Sequence, residues 1–168
     1  MELISRDGGY LELRPEGYEF DAAPPAQEGE EDDYDEWLVI SGRVRIADGR
    51  EWSFTDPCLT TDEAESLAVW LADVGAGEVA LTTSQAKLYF IEPNLAFSLE
   101  EATPARARVR VHFSHESMPP WNPHHDWPDY HAFFVPFDVS TADLRTAAQQ
   151  WRIENQPFPG RTPPRSPQ

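Results

Sequence analysis

All five histidines of the chain fall between His112 and His131, and the densest part of that span reads Pro119-Pro120-Trp121-Asn122-Pro123-His124-His125-Asp126-Trp127-Pro128-Asp129-Tyr130-His131. Imidazole beside carboxylate can hold a metal ion or move a proton. A catalytic zinc needs three protein ligands, commonly two of them one helical turn apart. His124 and His125 are adjacent, so in an extended segment they point to opposite sides, and His112 and His115 are separated by an odd number of residues. Pro119, Pro120, Pro123 and Pro128 stop any helix that could regroup these side chains. A metal set drawn from His124, His125 and Asp126 would therefore need long-range assembly. The simpler reading is a loop anchored by the large rings of Trp121 and Trp127, whose N–H groups each want an acceptor.

Proton transfer between Asp126 or Asp129 and the histidines is a second possibility. It would need a nucleophile or metal nearby, and no nucleophile elbow, P-loop, dinucleotide fingerprint or HExxH motif occurs. Cys58, the one cysteine, sits in Asp56-Pro57-Cys58-Leu59-Thr60 before a helix start, where a thiol pKa can fall. No basic residue adjoins it in sequence, so a small buried thiol is the expectation. Arg106, Arg108, Arg110 and His112 alternate with Ala107, Val109, Val111 and Phe113 along one strand. That places a basic row on one face, paired with acids such as Glu100 and Glu101 if their strand lies alongside. No catalytic residue, resident metal or cofactor is expected.

What remains is charge. Thirty acidic residues against 13 basic give a formal charge of −17. Phosphate backbones and anionic membranes are poor partners for such a molecule, and a basic protein is a good one. Seven acids crowd into the nine residues Glu28–Glu36. Such a run repels itself and belongs in solvent. It is either a solubilising loop or a docking surface in which Glu30, Glu31, Asp32, Asp33, Asp35 and Glu36 meet a cationic partner.

The elements around these residues follow from periodicity. Leu3–Arg6 and Tyr10–Arg14 flank Asp7-Gly8-Gly9, and Trp37–Ile46 and Glu51–Phe54 flank Asp48-Gly49. Both read as hairpins. Leu38, Ile40, Val44 and Ile46 share one face. Thr60–Val74 is a helix, with Thr60 and Glu63 as a capping box, a stripe of Ala64, Leu67, Leu71 and Val74, and Gly75 and Gly77 at its end. Strands are expected at Lys87–Ile91, Leu95–Glu100, Arg106–Phe113 and His131–Phe137. A second helix follows over Asp138–Ile153, with Ser140 as its cap and Leu144, Ala147, Ala148 and Trp151 buried. No internal sequence repeat is evident.

Strands in runs joined by tight turns pair antiparallel. The predicted fold is α+β: an antiparallel sheet of about six to eight strands with two amphipathic helices packed on it. One domain over residues 1–158 is expected, with residues 21–36 as an acidic, proline-containing loop and 159–168 as a proline-rich, flexible tail. The opening MELISRDGGYLEL has no basic region followed by an apolar run, so no signal peptide is expected and the cytoplasm is the predicted location.

Several stretches together resemble the WapI family of immunity proteins, bacterial proteins linked to polymorphic toxins. They are Leu13-Arg14-Pro15-Glu16-Gly17-Tyr18, Trp37-Leu38-Val39-Ile40, Trp52-Ser53-Phe54-Thr55-Asp56-Pro57-Cys58-Leu59-Thr60-Thr61, Glu92-Pro93-Asn94-Leu95-Ala96-Phe97-Ser98-Leu99, Val111-His112-Phe113-Ser114 and Pro119-Pro120-Trp121. The likeness runs from about Leu3 to Phe158. It implies a non-catalytic protein that binds a cognate toxin, often a nuclease, and blocks it. The acidic loop has no counterpart in the family pattern. Two other classes stay open: a small metal- or ligand-binding enzyme built on the His112–His131 region, and a structural interaction domain.

Overall fold

The structure, a computed structural model, describes residues 1–20, 36–122 and 133–161. Eight strands and two helices occur in the order β1 (Glu2–Ile4), β2 (Tyr10–Tyr18), β3 (Trp37–Arg45), β4 (Glu51–Thr60), α1 (Thr61–Ala76), β5 (Lys87–Tyr89), β6 (Leu95–Ala102), β7 (Arg106–Phe113), β8 (Phe134–Ser140) and α2 (Thr141–Asn155). All strand pairing is antiparallel, as the hairpin signals predict. The strands divide into two four-stranded sheets, ordered β1-β2-β3-β4 and β5-β6-β7-β8. Each sheet is a meander of consecutive strands, and each ends by running straight into a helix. The two sheets touch where Arg6 N–H donates to Asp138 O at 3.0 Å and Asp138 N–H donates to Ser5 Oγ at 3.0 Å.

Local chemistry accounts for the turns. Gly8 and Gly49 both have φ near +90°, which closes the Asp7-Gly8-Gly9 and Asp48-Gly49 hairpins at no steric cost. β4 extends well past the expected Phe54, through Asp56-Pro57. Proline lacks the N–H that an interior strand must donate, but β4 is the outer strand of its sheet and Pro57 lies beside a register shift at Leu38/Val39. β8 starts at Phe134 and runs through Ser140, later than the His131–Phe137 expected, and α2 begins correspondingly later.

The core gathers Leu11, Leu13, Leu38 and Ile40 from one sheet, Phe97, Val109, Val111 and Phe137 from the other, and Leu67, Leu71, Leu144 and Trp151 from the helices. Gly42 faces Phe54 across the β3–β4 ladder, and a Cβ there would lie 2.2 Å from Cε1 and Cζ of the Phe54 ring. The helices approach each other closely at Gly75, where a Cβ would lie 2.8 Å from Arg145 Cγ and 2.9 Å from the carbonyl oxygen of Thr141. Three buried indoles have their N–H groups satisfied by main-chain oxygens at 2.8 Å: Trp52 by Ser117, Trp70 by Gln85 and Trp151 by Ala64. Among the described residues, no helix is long and apolar enough to cross a membrane.

Candidate docking surface

The residues singled out for chemistry separate into three groups. His124, His125, Asp126, Trp127, Asp129 and His131 lie outside the described residues, as do Glu30, Glu31, Asp32, Asp33 and Asp35. Among the described residues, no group of three or more His, Cys, Asp and Glu side chains could hold a metal ion. Trp121 packs edge-on against Trp52 at 5.5 Å, with the Arg50 guanidinium over its ring at 5.0 Å. That is the anchoring role expected of it.

The rest of the described set is structural. Cys58 is buried, and burial together with the carboxylates of Asp56, Glu63 and Glu92 pushes its thiol pKa far up, away from any thiolate. In the basic row, Arg106 pairs with Asp138 at 2.6 Å, Arg108 with Glu100 at 3.6 Å and Arg110 with Glu100. The alternate side chains Ala107, Val109, Val111 and Phe113 are buried. His112 Nε2 lies 2.8 Å from Ser98 Oγ, a nucleophile-and-base spacing that sequence reasoning did not flag. The imidazole, however, is buried and packed against the Phe134 ring at 5.5 Å. A cleft of about 440 Å³ between β1 and α2 is lined by Glu2, Ile4, Arg6, Arg106, Asp143 and Gln150, and neither Ser98 nor His112 reaches it.

One end of the molecule is different. Asp56 on β4 sits in reach of Asn94 in the β5–β6 turn, whose side-chain amide donates to Asp56 Oδ2 at 2.7 Å and to Glu116 Oε2 at 3.4 Å. Asn94 is 3% exposed, so its amide is a fixed bridge between two carboxylates. Burial, and then the charges of Glu116, Glu92 and Glu19, push the Asp56 carboxyl above its usual range, and the Asn94 bond opposes them. Glu63 belongs to the same end. Its Oε2 accepts from Thr60 N–H at 2.9 Å, completing the expected capping box, while its Oε1 accepts from Ile91 N–H at 2.6 Å.

The residues that flank 21–35 lie at this end. The first stem is tied by Glu19 N–H to Trp37 O at 2.8 Å, and on the other side Glu36 accepts from Thr61 Oγ1 in the first turn of α1 at 3.0 Å. Beside the first stem, Tyr18 packs on Phe158 and donates to Pro159 O, while Arg161 donates to Phe20 O at 2.8 Å and lies over the Tyr18 ring. Several acids elsewhere on the surface have arginine partners: Glu12 and Glu154 with Arg14, Glu51 with Arg43, Asp48 with Arg50, Glu65 with Arg152; among the described residues there, Asp7, Glu16, Asp73, Glu78, Glu101 and Asp143 form no salt bridge. Among the described residues, Glu19, Asp56, Asp62, Glu63, Glu92 and Glu116 form no salt bridge with arginine or lysine. Asp62 and Glu63 are neighbours in the first turn of α1, and the other four are scattered along the sequence. Only the topology collects them, so no sequence pattern could have flagged the cluster.

The model of the WapI-like immunity protein family matches residues 2–159, nearly the whole chain. The chain belongs to the WapI-like immunity protein family. No curated protein and no solved structure gives a match. The matched residues span both sheets and both helices.

Proposed function

We propose that this protein is a toxin-neutralising immunity protein that sets its acidic end against a cationic face of a toxin domain and acts by occupancy, not by turnover. The observation that carries the reading is the collection of carboxylates without arginine partners at one end, beside both stems of the loop bearing Glu30, Glu31, Asp32, Asp33, Asp35 and Glu36. A nuclease is the best-fitting target. Its site must be cationic to hold phosphate, and an acidic surface can stand in for that ligand. Opposite fields speed encounter and reject wrong partners more than they add contact energy. Nucleic acid and anionic membranes are repelled by the same field, and we place the protein's action in the cytoplasm. A buried thiol held as the thiol and a covered imidazole support a role without catalysis.

The test has two arms. Co-expression with a toxin domain found encoded in the neighbourhood of this protein's gene is expected to rescue growth. In purified form, Asp32→Asn, Asp33→Asn, Asp35→Asn and Glu36→Gln together slow association with that domain and flatten its dependence on salt. Unchanged salt dependence would clear the loop of a docking role. Product formation by the purified protein, lost on substituting a few side chains, would overturn the binding reading itself.

A further inference from the structure

We propose that Ile91 and Tyr89 are the apolar anchor of this docking surface and that they seat in a hydrophobic socket bordered by arginine and lysine on the toxin. The inference rests on the immunity reading and adds to it the contact that holds the complex together. Ile91 is 73% exposed and Tyr89 51% exposed, in a chain whose other large apolar side chains mostly fill the core. Both belong to β5 and the turn that follows it, at the outer edge of the second sheet.

Two features set this pair apart from scattered surface apolar residues, which are ordinary. First, the main chain at Ile91 is fixed. Glu63 Oε1 holds its N–H, and Glu63 is itself held through Oε2 by the α1 cap at Thr60. An anchor already in place loses little freedom on binding. Second, acids crowd the Ile91 end of the pair, while the exposed Lys87 lies at its other end on the same face of β5. Glu92 follows Ile91 directly, Glu63 touches it, and Asp56 and Glu116 converge on Asn94 three residues on. Apolar centres with polar rims are how interfaces concentrate their energy. The rim also selects the occupant. A second copy of this chain, itself carrying −17, would bring acid against acid, whereas a basic face neutralises the rim.

The two parts of such a surface act on different rate constants: a buried anchor sets how long the complex lasts, and an exposed charged rim sets how fast it forms. The experiment is surface-plasmon kinetics of the full-length protein against the same gene-neighbourhood toxin domain, catalytically inactivated. Ile91→Ala and Tyr89→Ala are expected to raise the dissociation rate on the order of 10- to 100-fold each, with association rate and salt dependence unchanged. Glu92→Gln with Glu116→Gln is expected to slow association instead. Ile153→Ala, an exposed aliphatic on α2 at 54% exposure, is the control and should change neither rate. Dissociation unaffected by both anchor variants, or raised as much by the control, overturns the anchor and leaves the immunity reading intact. Absence of any complex with the unaltered protein overturns both.

Discussion

Asp56 is a single carboxylate that costs stability. Burial and neighbouring acids raise its folded pKa above the ordinary value of about 3.8, so the ionised form is disfavoured in the folded state relative to the unfolded one. It therefore subtracts stability above the folded pKa. The penalty fades as pH falls through that value and is gone below the ordinary one. Asp56→Asn keeps an acceptor for Asn94, and it should raise the thermal midpoint at pH 7 with a gain that disappears in acid. Glu100 has the opposite sign. The bond from Arg110 and the nearby Arg108 hold its carboxyl below the ordinary value of about 4.5, so it supports the fold above that value and the support is lost in acid. Glu100→Gln should lower the midpoint modestly at neutral pH and not at low pH. Gly42 is a steric case. Its missing Cβ makes room for Phe54, and Gly42→Ala should cost about 1–3 kcal/mol in denaturant melts. Because the two residues touch, Phe54→Leu in the same background should recover part of that loss rather than add to it.

At the scale of elements, the helices were the most legible part of the sequence. The α1 stripe and its Thr60–Glu63 box, and the α2 stripe with its Ser140 cap, were all readable because capping and 3.6-residue periodicity are local properties. Thr60→Ala should cost about 1 kcal/mol by loss of that cap, measurable by chemical denaturation. Strand ends were less legible. Strands β4 and β8 pass directly into helices, so no loop residue marks the change, and Pro57 reads as a breaker although an outer strand tolerates it. That the eight strands form two sheets was not legible either, since the contact between Arg6 and Asp138 joins residues far apart in sequence.

For the whole molecule, net charge predicts a cationic partner but no particular docking place. Several arginines pair with acids elsewhere, Arg14 with Glu12 and Arg50 with Asp48 only two residues away, whereas the gathering of Asp56, Asn94 and Glu116 exists only in three dimensions. Raising salt should therefore weaken partner association while leaving the unfolding midpoint nearly unchanged, because the acidic end is a long-range field and the paired surfaces are individually weak. The basic strand face was read correctly from its alternation, whereas the acidic end needed the turn at Asn94 to bring β4 and the residues after β7 together.

Each sheet uses only neighbouring stretches of chain, and the two helices hold the pieces together through Gly75 and the buried Trp151. A backbone severed between the exposed residues Leu81 and Thr82 would leave every ladder whole on one fragment or the other. Neither fragment alone could cover its helix seam, so each should be poorly soluble in isolation. Refolded together they should reconstitute the native circular-dichroism signal, which would make this molecule a split reporter whose reassembly can be followed directly.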